Sequence, residues 1–410
     1  MARSRLEPPG APSGPAKLAL EGGPPVRRRL LPYGRQSISE EDVLAVMSVL
    51  CSDWLTTGPR VREFEEAFAR FTGAREAVAV SSGTAALHAA LHALGIKEGD
   101  EILVPAMTFA ASANCARFVG ATPVFVDVEP ETLLIDPDRA EALVTPRTRA
   151  ILAVDYAGQP CDYQRLQALA RKGDLALVAD ACHSLGASFG GRPVGTLALA
   201  SAFSFHPVKA MTTGEGGMIA TDDAELARRM RTFRNHGIAQ DHREREKAGS
   251  FAYEMRELGY NYRLTDFQCA LGHSQLGRVP AWIDRRREIA RRYDTAFEGL
   301  RTARPLAVRG GIGHAYHLYV LRLDLTALRA DRAWIFAALR AENICVNVHY
   351  LPAHLHPYYR EKLGTGPGLC PVAEAAYAEI LSLPIFPSMT AKDVEDVITA
   401  VKKVLQAHAI

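Results

Sequence analysis

The sequence lacks the features that would send it to a membrane, an oxidising compartment or a nucleic acid. No apolar run reaches membrane-spanning length. The first two dozen residues, dense in Pro, Gly and Ala around the short Leu18–Leu20 run, have none of a signal peptide's sustained apolar segment. Net charge is only +2, so no general basic field exists to hold nucleic acid or an anionic surface. There is no CxxC pair, and no metal is called for. The seven cysteines (Cys51, Cys115, Cys161, Cys182, Cys269, Cys345 and Cys370) are scattered. Such an odd, dispersed set points to reduced thiols and a cytoplasmic address.

What is present is an ordinary soluble composition, 48% apolar and 23% charged over 410 residues. That length carries a large core and a second, smaller domain. The expected division is a flexible tail over 1–25, a large α/β domain over 26–300 and a small α+β domain over 301–410. The pattern from Ile38 to Leu50 reads as a helix with Ser39 as its N-cap. A connector, Asp53 to Pro59, leads to a second helix, Arg60 to Phe71. From Ala77 onward, apolar strands alternate with amphipathic helices: 77–80, 102–104, 124–126, 151–154 and 176–179 are the strands. This alternation predicts a mostly parallel sheet covered on both faces. Ligands of such sheets sit at the carboxyl ends of the strands. The charged stretch Ala239 to Ser250 reads as a surface loop and Arg285–Arg287 as a solvated helix face. Later strands are expected at His317–Leu323 and Cys345–His349, and a final helix at Ala391–Gln406, with Thr390 and Asp393 as its cap signature.

Chemistry-bearing residues fall at those strand ends. Between strands expected at Ala202–Phe205 and Met218–Thr221, a loop broken by Pro207 and closed by Gly214, Gly216 and Gly217 carries Lys209. A lysine between two apolar strands loses its proton more easily and becomes a usable amine nucleophile. Asp180 closes the strand 176–179, where a carboxylate needs a cationic partner such as a protonated heteroaromatic nitrogen. The Ser82-Gly83-Thr84 turn at a helix N-terminus is an anion site as well as an ordinary cap, and Ser204 lies within reach of the same anion. Phe109 follows another strand end and either stacks on a planar ring or fills the core. Nucleophile, acid, anion cradle and stacking ring together are the requirements of pyridoxal 5'-phosphate.

The motifs V-S-S-G-T-A-A-L-H (80–88), P-A-M-T-F-A-A-S-A-N (105–114), G-Q-P-C-D (158–162), A-D-A-C-H-S-L-G-A (179–187), S-F-H-P-V-K (204–209) with T-G-E-G-G, and G-Y-N-Y-R-L-T-D-F-Q (259–268) occur in order. With them the chain resembles the DegT/DnrJ/EryC1/StrS sugar aminotransferases from about Leu31 to the C-terminus. The resemblance implies a fold type I pyridoxal-phosphate enzyme, a large mostly parallel-sheet domain with a smaller α+β C-terminal domain. Cys161, His206-Pro207-Val208, the 265–272 run and N-V-H-Y-L-P-A-H-L (347–355) are similar to the branch serving pseudaminic acid biosynthesis. That implies transfer of an amino group from glutamate to the C4 ketone of a UDP-linked 4-keto-6-deoxy-N-acetylhexosamine.

By the same resemblance, Lys209 holds the cofactor covalently and shuttles protons, and Asp180 pairs with the pyridinium. Phe109 and His183 hold the ring, and Gly83, Thr84 and Ser204 bind the phosphate. Asn261 reaches in from the partner of a homodimer. Tyr33, the Asp53–Trp54–Leu55–Thr56 loop, His317 and Tyr319 meet the nucleotide-sugar. His183 and Ala179 depart from the Gln and Glu that many relatives carry there. The rival readings are a dTDP-linked 3- or 4-ketosugar as substrate, and a non-catalytic regulator or binding protein on the same scaffold.

Overall fold

Several helices start where the sequence supplies a side-chain cap for their unpaired N–H groups. The computed structural model describes residues 17–239, 249 and 251–410, so the first part of the expected tail and almost all of the 239–250 loop lie outside the described residues. Ser39 and Asp42 form a capping box at the start of α1 (Glu40–Leu50), and Thr390 and Asp393 form another at the helix Ala391–Ala407. Helix α2 (Pro59–Thr72) begins on a proline, which has no N–H to leave unpaired. Pro280 likewise sits in the first turn of the helix Val279–Phe297.

The alternation builds as the pattern requires. Strand β1 (Glu76–Val80) leads to α3 (Gly83–Ala93), β2 (Glu101–Pro105) to α4 (Ala110–Phe118), β3 (Thr122–Val126) to α5 (Pro137–Ala142), and β4 (Thr148–Val154) to α6 (Tyr163–Gly173). Strand β5 (Ala176–Asp180) is followed by the short pair β6 (Ser188–Phe189) and β7 (Arg192–Pro193). Then come β8 (Ala200–Ser204), β9 (Gly217–Thr221) and α7 (Ala224–Phe233). The large sheet has the order β1-β9-β8-β5-β4-β2-β3. Only β9 runs against its neighbours, because it is the return arm of the hairpin that carries Lys209. The residues after β1, β2, β4, β5 and β8 therefore emerge along one edge of the sheet. The middles of the strands are mostly apolar, as burial on both faces demands, and polar residues fall mainly at their ends.

A second apolar cluster lies around β10 (Ala303–Pro305), β12 (Tyr319–Leu323) and β13 (Ile380–Leu383), while β11 (Ile312–Gly313) pairs with β6 beside the large sheet. The two clusters do not divide the chain at residue 300. Ile289, Tyr293 and Phe297 belong to the second cluster, whereas Ala353, Tyr359 and Ala373 pack with the first. Leu18 is buried in the second cluster, and the N–H groups of Ala19 and Val26 donate to the buried Glu342 carboxylate at 2.9 Å each. Residues 17–25 are thus docked rather than loose, because a buried carboxylate needs those donors.

Two further expectations are corrected. Cys345–His349 is no strand: only Ile344 and Asn347 make isolated bridges, to Leu31 and Ser382. Arg286 is 1% exposed instead of solvated, and its guanidinium donates to the carbonyls of Tyr316, His317 and Ile385 at 3.2, 3.4 and 2.8 Å.

Candidate active site

The lysine loop is set by backbone bonds around it. The Lys209 N–H donates to the His206 carbonyl at 2.9 Å, and the Thr213 N–H and Thr212 hydroxyl both donate to the Phe205 carbonyl. Gln275 accepts the Thr212 N–H at 3.0 Å, pinning the loop to the helix Asp266–Leu276. Burial pulls the Lys209 ammonium below its ordinary pKa, opposed by the nearby Cys182 and Asp180. Desolvation wins, so the amine sheds its proton more readily than a solvated lysine.

Asp180 ends β5 and is buried. It has more donors than its strand end alone would supply. The Ser112 hydroxyl donates to Oδ2 at 2.6 Å, the Thr108 hydroxyl donates in turn to Ser112 at 2.6 Å, and the Cys182 N–H reaches Oδ1 at 3.2 Å. These neutral donors favour the ionised carboxylate without cancelling its charge, which leaves it able to hold a cation.

The anion cradle lies beside it. Ser82 caps α3, and its side chain accepts only the Ala85 N–H, at 3.1 Å. Helix geometry leaves the N–H groups of Gly83 and Thr84 without intrahelical acceptors. A Cβ on Gly83 would stand 2.9 Å from the Ser204 Cβ and 3.0 Å from Cys182 Sγ, so glycine is required for the three strand ends to meet. The preceding residue is tied down by the Ser81 N–H, which donates to the Tyr262 carbonyl at 2.8 Å.

Rings enclose the remaining sides. Phe109 is 59% exposed and its ring is 5.8 Å from that of Tyr350, open for stacking and not core. His183 and His317 pack with centroids 4.3 Å apart, and His183 Nε2 shares a 3.0 Å hydrogen bond with the Tyr350 hydroxyl. The Nδ1 atoms of His183 and His317 are buried without a partner. Burial, then the neighbouring Lys209, push both imidazoles well below their usual range. His349 is lowered to about 4 for the same reasons. Its ring lies 5.5 Å from Tyr33, whose hydroxyl is raised by burial. The lysine is therefore surrounded by neutral imidazoles and phenols, not by cations that would compete with its proton chemistry.

The structure brings Lys209, Asp180, Gly83, Ser204, Phe109, His183, His317 and Tyr33 together around one edge. Five other expected residues lie elsewhere. Tyr319 is buried in the second cluster, with its hydroxyl donating to Asp294 at 2.8 Å, so it has nothing left for a substrate. Leu55 and Thr56 are held at the start of the helix Asp266–Leu276, where the Leu55 carbonyl accepts the Asp266 N–H at 3.0 Å. Asp53 and Asn261 are exposed on the outside of the chain. Four residues of the site escaped the strand-end rule: Thr108, Ser112, His349 and Tyr350. Ser112 carries a signal, three residues beyond Phe109 and so one helical turn on.

Residues 36–402 match the model of the DegT/DnrJ/EryC1/StrS aminotransferase family. The chain belongs to that family. It is 42% identical over 382 residues to the spore coat polysaccharide biosynthesis protein SpsC of Bacillus subtilis, covering 93% of this chain and 98% of SpsC. Among solved structures it is similar to Helicobacter pylori PseC, an aminotransferase involved in the biosynthesis of pseudoaminic acid. The TM-score is 0.86 and the identity 33%, over 92% of this chain and 100% of PseC. A Streptococcus pneumoniae protein solved in PMP and PLP forms matches with TM-scores of 0.87 and 0.86, at 33% identity over 92% of this chain and 99% of that one. The chain is accordingly a pyridoxal-phosphate-dependent aminotransferase of fold type I.

The site fits the cofactor on its own terms. A glycine cradle that a single methyl would fill, a strand-end carboxylate supplied with neutral donors, an orphaned His183 nitrogen and a desolvated lysine are what a phosphorylated pyridine aldehyde needs. Gly83, Thr84 and Ser204 would hold its phosphate, Asp180 its ring nitrogen, Phe109 and His183 its ring, and Lys209 its aldehyde carbon. Bound there, the group would supply an electron sink for a carbanion.

Proposed function

We propose that this enzyme moves the amino group of glutamate to the C4 ketone of a UDP-linked 4-keto-6-deoxy-N-acetylhexosamine. The observation that carries the transaminase part is the desolvated Lys209 amine in electrostatic contact with the buried Asp180. Lys209 Nζ would take the proton from the donor carbon that bears nitrogen, and later return one to C4 of the sugar. Asp180, steadied by Ser112, would keep the pyridine nitrogen protonated through both halves. The neutral His183, His317, His349 and Tyr350 would orient sugar and donor without adding charge, and exclude water from the lysine.

The UDP-linked substrate is supported by the likeness to PseC over the whole of that chain, together with the sequence cues at Cys161 and 347–355. The rival substrate is a different nucleotide-ketosugar, dTDP-linked and ketonic at C3 or C4. Assays with UDP- and dTDP-linked 4-keto-6-deoxy sugars side by side, with products identified by mass, separate the two. Turnover of the UDP-linked hexosamine at least about tenfold faster in kcat/KM supports the first reading. The reverse ratio sinks it.

The active unit proposed is a cytoplasmic homodimer with shared sites, Asn261 acting in the partner's pocket. Support comes from the surface that carries Asn261, where Phe251, Met255 and Leu258 are left 97%, 64% and 74% exposed. Apolar residues so exposed mark an association surface. No described helix is long and apolar enough to cross a membrane.

A further inference from the structure

Asp155 is the one carboxylate behind this site that the chemistry above leaves without a task. It follows β4 directly, is 0% exposed, and none of its hydrogen-bond partners is a cation. Removing a charge so completely from water is costly unless the surrounding donors need it. Here those donors are unusually specific. Oδ2 accepts the Ser184 hydroxyl at 2.6 Å, and Oδ1 accepts the Cys161 N–H at 2.9 Å and the Tyr163 hydroxyl at 3.0 Å. The Asp155 N–H donates to the Asp180 carbonyl at 3.1 Å, and its own carbonyl accepts the Gly158 N–H at 3.0 Å.

These bonds join the two turns that present the paired imidazoles. Ser184 is the residue after His183. Cys161 and Tyr163 anchor the far end of the turn 156–159, and that turn is the floor on which His317 rests. A Cβ on Gly158 would stand 2.8 Å from the His183 carbonyl oxygen and 3.0 Å from the His317 N, so both histidine backbones touch this one glycine. The Ala315 N–H donates to the Gly158 carbonyl at 2.9 Å, and the Leu318 N–H to the Ala157 carbonyl at 3.2 Å. Tyr156 of the same turn donates its hydroxyl to the His349 carbonyl. One carboxylate therefore fixes the turns under His183, His317 and His349 while sitting next to the Asp180 strand end.

We propose that Asp155 is a positioning residue: through Ser184 and the 156–161 turn it sets His183 and His317 against the cofactor seat and Lys209, without touching substrate or cofactor itself. It rests on the cofactor seat described above and not on which sugar is used. A carboxylate is suited to the task because two oxygens accept three bonds from two separate turns. Asparagine would keep the arrangement, its oxygen accepting from Cys161 and Tyr163 and its amide donating to Ser184 Oγ. The serine hydroxyl would then turn to the Ala181 carbonyl, already 3.4 Å away.

The test uses the purified holoenzyme and three variants, Asp155→Ala, Asp155→Asn and Ser184→Ala. The readouts are the pH midpoint of the visible cofactor band, kcat and KM for the glutamate half of the reaction, and the thermal midpoint. The groups facing Lys209 that set the band are Asp180, Cys182, His183, His317 and His349, and none is altered. Asp155→Ala should lower kcat about tenfold or more with KM within about twofold, since a small misplacement of reacting groups costs that much. It should also move the band's midpoint by about half a pH unit or more. Asp155→Asn should recover kcat to within about threefold. Ser184→Ala leaves the Cys161 and Tyr163 bonds intact, and should move the band and kcat in the same direction with the protein still folded. It carries the test if Asp155→Ala does not fold. Band and kcat unchanged in Ser184→Ala, with only the thermal midpoint falling in Asp155→Ala, would reduce Asp155 to a folding residue and overturn the proposal. A wild-type protein with no visible band would remove the cofactor seat, and this role with it.

Discussion

Gly83 and Ser204 meet so closely that an added methyl has no room, since a Cβ at Gly83 would lie 2.9 Å from the Ser204 Cβ. Gly83→Ala should therefore push α3's first N–H groups away from the phosphate and weaken cofactor binding about tenfold or more, read by titrating apoprotein with pyridoxal phosphate. Asp180 makes a different demand. Ser112→Ala removes a 2.6 Å bond to a buried carboxylate. A hydrogen bond to a charged group contributes about 1.5–3 kcal/mol, so kcat should fall about tenfold or more while the protein stays folded. Lys209, Asp180, Gly83, Ser204 and Phe109 were legible in the sequence because each lies at or shortly beyond the end of a strand, where chemistry in a parallel sheet collects. His349 and Tyr350 were not, since they come from a segment more than a hundred residues further on with no regular structure of its own. Tyr319 was misplaced for a geometric reason. Alternation along a strand would put it on the same face as His317, but β12 begins only at Tyr319, and Tyr316 turns the chain at φ 47°.

Among the elements, the β8–β9 hairpin and the helix Val279–Phe297 do most to shape the site. The hairpin was readable from its prolines and glycines and from the apolar runs on either side. The helix was readable as a helix, yet Arg286 was not readable as a buried residue. An arginine in a run of three looks solvated, and only the tertiary fold puts carbonyls of Tyr316, His317 and Ile385 around it. Burial lowers its guanidinium to about 10. Arg286→Met fills similar space but leaves those carbonyls unpaired. It should cost about 2–5 kcal/mol in denaturant unfolding and loosen the turn that carries His317. An unfolding midpoint equal to wild type would show that water replaces the guanidinium at no cost. The missing strand at 345–349 has a related cause: Asn347 spends its side chain on the Val348 N–H at 2.8 Å, a local bond that competes with a sheet ladder.

At the level of the whole molecule, stability should depend on pH in one direction. His88, His314 and His349 are lowered to about 4, 3 and 4, chiefly by burial, and His183 and His317 well below their usual range. The unfolded chain binds protons on these groups near pH 6.5 and the folded one does not. Their contribution is therefore fully present above about pH 6.5 and is lost as pH falls toward their folded values. Asp155 acts oppositely: raised to about 7 by burial, it favours the folded state more as pH falls from 7 toward 4. Five histidines outweigh the two carboxyls that burial raises, Asp155 and Asp294, so the thermal midpoint should drop between pH 7 and pH 5. A midpoint that rises over that interval contradicts the buried neutral imidazoles. Shared sites are tested by mixing subunits. Lys209→Ala and Asn261→Ala proteins, each inactive alone, should together regain up to about a quarter of wild-type activity, because one mixed pocket in each heterodimer is intact. No recovery would place Asn261 outside the partner's pocket.

The most direct measurement is borohydride reduction of the pyridoxal-phosphate-loaded enzyme, followed by peptide mapping. The expected result is loss of the visible band with the cofactor's mass fixed on Lys209, and no band and no amino transfer in Lys209→Ala. Label on another residue, or full turnover by Lys209→Ala, would contradict the account.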